Sequence, residues 1–178
     1  MIFVTVGSTK FIDLVRKMDE LAPALGDEVL IQIGDGPYEP KNCQFFRYAA
    51  SLDPYYDQAD VIVAHGGLGT IVEVSSRGKR LVCVVNPTTM DLHQEHLLRI
   101  WAEKNYFLWC RDMEQLPAAI QQARNMHFAR YESPECHIHE VIRNYLAGHG
   151  QSGSPPRTEH GMEYRAGARQ QDPPKPIQ

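Results

Sequence analysis

No stretch of this 178-residue sequence approaches the ~20 consecutive apolar residues that a membrane-spanning helix needs. No membrane anchor is therefore expected within it. A basic surplus is missing too. The 18 lysines and arginines face 22 aspartates and glutamates, a net charge of −4, so the electrostatic footprint of a nucleic-acid binder is absent. Met1–Lys10 has no charged region ahead of its apolar run and does not read as a secretory leader. Cys43, Cys83, Cys110 and Cys136 are far apart, with no CxxC pair. Free thiols in a reducing compartment are expected, not a disulfide framework or a zinc knuckle. The phosphate loop GxxxxGKS/T and the metalloprotease signature HExxH are absent, and the loop glycines at 66, 67 and 69 do not make the dinucleotide fingerprint GxGxxG.

What is present changes character near Ala147. Residues 148–178 hold five glycines and five prolines in 31 positions and almost no large apolar residues. They have too little to bury to offset the entropy of being ordered, so a disordered tail or linker is expected. The tail carries four basic and three acidic residues, which leaves 14 against 19 in residues 1–147 and no hidden basic patch. Residues 1–147 suffice for one domain with its own core.

Within 1–147, short apolar runs alternate with helical periodicity. Ile2–Val6 is a β-rich run ending at Gly7. Phe11, Leu14, Val15, Met18 and Leu21 then repeat at helical spacing. Val29–Ile33 reads as a second strand, stopped by the turn signal Gly34-Asp35-Gly36-Pro37, and Phe45–Tyr48 as a third. Leu52–Gln58 has the pattern of a short helix capped by Ser51 or Asp53. Strand Val61–Ala64, helix Leu68–Arg77 closed by Gly78, strand Leu81–Val85, helix Asp91–Lys104 and strand Tyr106–Trp109 follow. Helices Glu114–Met126 and Ile138–Leu146 end the series. Continuous apolar strands separated by helices predict an α/β fold, a Rossmann-like doubly wound parallel sheet covered on both faces.

In such sheets ligands bind beyond the carboxyl ends of the strands, which directs attention to three loops. His65-Gly66-Gly67-Leu68-Gly69-Thr70 joins a buried strand to a helix. Its glycines let a ligand approach the backbone, and the helix start offers unpaired N–H groups and a positive dipole end that suit phosphate. Thr70 adds a hydroxyl. Glu73 shares its helix face, ~4.5 Å further along the axis, where a carboxylate suits the hydroxyls of an adjoining ribose. His65 can donate to a diphosphate. The same residues also fit an ordinary glycine-rich turn with Glu73 solvated. Gly7-Ser8-Thr9-Lys10 reads as a second backbone cradle. In the third loop, Asp91, His93 and Gln94 can hold sugar hydroxyls, although Asp91 also fits a plain helix cap. His93 and His96 have a metal-compatible spacing without a third ligand, so no metal site is expected.

Taken together, three ordered motifs resemble a known family. They are Val4-Thr5-Val6-Gly7-Ser8-Thr9, then His65-Gly66-Gly67-Leu68-Gly69-Thr70-Ile71-Val72-Glu73, then Gly78-Lys79 with Asn86…Met90-Asp91-Leu92-His93-Gln94-Glu95. Over about residues 1–147 the chain is similar to the donor-binding half of GT-B glycosyltransferases, of the glycosyltransferase family 28 C-terminal type. The likeness includes the catalytic subunit of the two-part N-acetylglucosaminyltransferase of the dolichol pathway and its bacterial exopolysaccharide and capsule counterparts.

The resemblance implies a single GT-B half-domain over 1–147. His65 and the Gly66, Gly67, Gly69 and Thr70 segment would face the diphosphate of a UDP-sugar, with His65 stabilising the leaving group. Glu73 would take the ribose diol, and Asp91, His93 and Gln94 would lie at the sugar. Gly7 and Ser8 would floor the cleft. Leu92 and Thr89 stand where the family usually has asparagine and leucine, which leaves the sugar open among N-acetylglucosamine, hexoses and glucuronate. The resemblance further implies inverting chemistry with no cofactor and no metal, in keeping with the absence of a DxD pair. The partner implied is a membrane-anchored, acceptor-binding subunit presenting a lipid-diphosphate-linked acceptor, which would hold this chain peripherally at the cytoplasmic face. Two other readings stay open: a non-catalytic UDP-sugar-binding enhancer of a partner transferase, and a stand-alone epimerase-like or hydrolytic enzyme.

Overall fold

Alternate residues of a strand face opposite ways, and in this chain both faces are apolar. Ile2 and Val4 of β1 (Ile2–Thr5) point into one buried cluster while Phe3 points into another. The same division runs through β4 (Val61–His65) and β5 (Arg80–Val84): Val61, Val63, Val82 and Val84 on one side, Ile62, Ala64, Leu81 and Cys83 on the other. Strands apolar on both faces demand helices on both faces. Here α1 (Ile12–Leu25) and α5 (Leu116–Asn125) cover the first face. The second is covered by α2 (Asp53–Gln58), α3 (Leu68–Ser76) and α4 (Leu92–Glu103).

The computed structural model describes residues 1–86 and 92–147, with residues 92–94 as backbone only. The chain divides into two units, Met1–Pro134 and Glu135–Gln178. The first holds the sheet and α1–α5; the second holds α6 (Ile138–Ala147). The expected tail, 148–178, lies outside the described residues.

All strand pairs are parallel, in the order β3-β2-β1-β4-β5-β6, with β2 at Val29–Gln32, β3 at Gln44–Phe46 and β6 at Leu108–Cys110. This is the doubly wound arrangement expected from the alternation. Most elements end within a residue or two of their expected bounds. One splits: the expected helix Glu114–Met126 is a 3₁₀ turn, Met113–Gln115, followed by α5. Pro117 lies in the first turn of α5, where its missing N–H costs no helical bond. Asp112 accepts from the Glu114 N–H at 2.9 Å and starts the 3₁₀ turn. The N-cap of α2 is Leu52, without a side-chain cap, and not Ser51 or Asp53 as expected; Ser51 accepts from the Asp53 N–H at 3.1 Å.

Candidate functional site

β1 and β4 are neighbours, but their chains leave in opposite directions, β1 toward β2 and β4 toward β5. The helices that follow them cover opposite faces, so a crevice opens beyond their carboxyl ends. Thr5 pairs with Ala64 there. The loops starting at Val6 and His65 therefore stand side by side, and two of the three motifs meet.

The first loop is held by a residue that the periodicity hides. Gln32 lies in the apolar run of β2 and is 3% exposed. Its Oε1 accepts from the Gly7 N–H at 3.0 Å and from the Thr5 hydroxyl at 2.7 Å. Its Nε2 donates to the Gly7 carbonyl and to the Arg47 carbonyl, each at 2.9 Å. One amide thus clamps both polar groups of the Gly7 peptide. Gly7, with φ +60°, contributes shape rather than a free donor, and exposed Ser8 is what this loop turns outward.

His65 fills the space between the two loops. A Cβ on Gly7 would come within 2.8 Å of its Cε1, and one on Gly67 would overlap its Nε2. Glycine at both positions is a packing requirement of this imidazole. Burial lowers the His65 pKa below its ordinary 6.5, with the Thr5 backbone acting the other way. The ring is neutral at neutral pH, and among the described residues its buried Nδ1 has no hydrogen-bond partner. What His65 can offer a leaving diphosphate is a hydrogen bond, not a charge.

Beyond His65 the start of α3 is bare. Gly67 is its N-cap, with no side-chain cap and no acidic residue in the first turn. Among the described residues, nothing accepts from the N–H groups of Leu68, Gly69 and Thr70. Such a helix end suits an anion. Gly69 differs from Gly7 and Gly67, because a Cβ there would meet nothing within 4 Å. Only something outside the described residues could make glycine necessary there.

One turn further, exposed Glu73 accepts from the Tyr56 hydroxyl at 3.3 Å. Tyr56 is fully buried on α2. The structure thus gathers Gly7, Ser8, His65, Gly66, Gly67, Gly69, Thr70 and Glu73 at the crevice. Asp91 lies outside the described residues. His93 and Gln94 belong to the first turn of α4, and their side chains lie outside the described residues. Gln32 and Tyr56 went unread in the sequence. The available signal was a glutamine inside an apolar strand, since a buried amide must find partners.

Comparison with known proteins supplies the family. The glycosyltransferase family 28 C-terminal domain matches residues 1–144. The mouse (Mus musculus) UDP-N-acetylglucosamine transferase subunit ALG13 is 32% identical over 121 residues, 61% of this chain and 10% of that protein. The chain spans about a tenth of the length of the curated mouse and human relatives it matches. Among solved structures, the glycotransferase of kitacinnamycin aligns with TM-score 0.57 and 22% identity, over 70% of this chain and 35% of that one. The solution structure of ALG13 aligns with TM-score 0.53 and 18% identity, over 82% of this chain and 94% of that one. These structural likenesses establish a shared fold.

Proposed function

Because this chain belongs to the glycosyltransferase family 28 C-terminal domain family, we propose that it is the donor-binding subunit of a two-part inverting glycosyltransferase. It moves a sugar from a UDP-sugar to a lipid-linked acceptor in polysaccharide or glycolipid synthesis. The observation that carries this reading is the uncapped, glycine-flanked start of α3 at the crevice, with a carboxylate one turn further on.

In this reading the diphosphate sits at the α3 N-terminus, against Gly66, Gly67, Gly69 and Thr70. Glu73 accepts from the ribose diol, and Gly7 and Ser8 form the floor. Asp91, His93 and Gln94 contact the sugar. The acceptor oxygen attacks the anomeric carbon from the face opposite the diphosphate. The bond from that carbon to the β-phosphate oxygen breaks, its electron pair leaves with UDP, and the acceptor proton passes to a base on the acceptor-binding partner. Helix dipole, backbone N–H groups and neutral His65 stabilise the departing charge where it develops. These are the donors a metal would replace elsewhere, so none is required. N-acetylglucosamine is the first donor to test, given the name of the mouse relative; glucose, galactose and glucuronate belong in the same screen.

Two observations support a partner. The relatives are named as subunits of a transferase. On α6, Ile138, Val141, Ile142 and Leu146 recur at helical spacing and are all at least half exposed, the kind of stripe another chain covers. No helix among the described residues is long and apolar enough to cross a membrane. Attachment to the cytoplasmic face would run through the partner.

The test is calorimetry with UDP, then co-expression with candidate acceptor-binding subunits and a donor screen. UDP binding by the chain alone and transfer only with a partner are expected. UDP binding without turnover in the partner's presence would identify an enhancer subunit. Product from the isolated chain without an acceptor would identify an epimerase-like or hydrolytic enzyme. Transfer by the complex should survive EDTA, and loss of activity restored by manganese would overturn the metal-free mechanism.

Gly69→Ala gives a separate check. Among the described residues nothing would meet a Cβ at Gly69, and this with the better helix propensity of alanine predicts unchanged or higher stability, by up to about 1 kcal/mol. If the diphosphate lies there, UDP binding should weaken several-fold in the same variant. Thermal denaturation and calorimetry read the two effects independently.

A further inference from the structure

We propose that Tyr56 is a positioning residue for nucleotide recognition, its buried phenol holding the Glu73 carboxylate in the pose that receives the ribose diol. This rests on the reading of Glu73 given above. Tyr56 lies outside all three motifs, on the short helix α2, 17 residues before Glu73.

The residue is 0% exposed, and its ring packs edge-on against Phe3 with centroids 5.8 Å apart. Phenylalanine would meet that apolar environment without bringing a polar group into it. A hydroxyl carried into a core costs free energy unless it is paired. The hydroxyl of Tyr56 is spent on Glu73, the acidic residue of α3, with Oη 3.3 Å from Oε2. Among the described residues, Glu73 has no other hydrogen-bond or ion-pair partner. A long side chain on an exposed helix face otherwise samples many rotamers. The phenol selects one of them and occupies one lone pair of Oε2, which leaves Oε1 and the second pair of Oε2 for two ribose hydroxyls.

Burial first, then the Glu73 charge and its hydrogen bond, push the Tyr56 phenol well above its ordinary value. It therefore stays protonated, and a donor, at neutral pH. Preorganisation of this kind improves affinity by cutting the ordering cost of binding.

The test uses the full chain and calorimetry with UDP, 2′-deoxy-UDP and inorganic pyrophosphate, on wild type, Tyr56→Phe, Glu73→Gln and the double variant. Because 3.3 Å is long for an O–H···O bond, Tyr56→Phe is expected to weaken UDP binding only about fivefold. The loss should shrink for 2′-deoxy-UDP and in the Glu73→Gln background, and pyrophosphate affinity should not change. Equal losses for UDP and pyrophosphate, effects that add independently with Glu73→Gln, or unchanged UDP affinity would each overturn the proposal. If Tyr56→Phe does not fold, 3-fluorotyrosine incorporated in place of Tyr56 keeps the hydroxyl and makes it a stronger donor. Tighter UDP binding is then expected, and unchanged or weaker binding overturns the proposal. The two levels fail differently. A wild type that does not bind UDP removes the proposed function itself. A wild type sensitive to Glu73→Gln but indifferent to Tyr56→Phe removes only the role of Tyr56.

Discussion

Glu73→Gln is expected to weaken UDP binding about tenfold or more while leaving the fold nearly as stable as before. Glu73 is exposed on α3 and makes no salt bridge among the described residues, so its charge has little stability to lose. Its value lies in what it can accept. Hydrogen bonds to a charged group contribute roughly 1.5–3 kcal/mol each before desolvation is counted, and a ribose diol supplies two. Glutamine keeps the length and shape but removes the charge and turns one acceptor into a donor. The Tyr56 phenol can still donate to the remaining oxygen, so the variant should keep its local structure. Calorimetry with UDP and 2′-deoxy-UDP decides the matter. The deoxy ligand should bind wild type more weakly than UDP does, and that difference should nearly vanish in Glu73→Gln. Equal UDP affinity in the two proteins would make Glu73 a solvated helix residue and would end its assignment to the ribose.

Asp19→Ala should have the largest effect on stability. Asp19 sits on α1 at 1% exposure, among the apolar residues that face the sheet. Its carboxylate accepts from the backbone N–H groups of Lys41 at 3.0 Å and Asn42 at 2.7 Å. The Tyr38 hydroxyl donates to it at 2.7 Å. The Cys43 thiol, pushed up to about 12 by burial and then by the Asp19 charge, remains protonated and faces the same carboxylate at 3.5 Å. One side chain thus fastens the segment that leads into β3. Removing it takes the acceptor from three part-buried hydrogen bonds at once, which should cost about 2–3 kcal/mol and lower the melting temperature by roughly 5–10 °C.

The pH dependence follows from the same contacts. Burial raises the Asp19 pKa, but the Lys41 and Asn42 amides, the Tyr38 hydroxyl and the Cys43 thiol outweigh it, and the folded value falls below the ordinary 3.8. A group with a depressed folded pKa adds stability above its unfolded pKa and loses it as the pH falls through the folded one. Wild type should therefore lose stability on acidification below 3.8. Asp19→Ala, already weaker at neutral pH, should lose less over the same interval. Urea denaturation across that range measures both slopes, and parallel curves would deny Asp19 its share of the acid sensitivity.

By itself the sequence determined the alternation of elements, the parallel α/β class, the glycine loop at the start of α3 and the place of Glu73 one turn beyond it. Each is a local property. Apolar period distinguishes strand from helix, glycine marks where backbone must turn or be approached, and helical spacing sets which residues share a face. Tertiary structure alone decided the strand order that brings the loops after β1 and β4 to one crevice. It also decided the Gln32 clamp on Gly7, 25 residues apart, and the Tyr56 hydroxyl on Glu73, 17 residues apart. The Asp19 carboxylate under Lys41 and Asn42 belongs with them. A hydrophobic pattern records whether a position is buried and says nothing of its partner. Gln32, Tyr56 and Asp19 therefore carry no mark of their roles in that pattern. Their partners lie on other elements, and only the crossing of those elements in the folded chain brings donor and acceptor within hydrogen-bond reach.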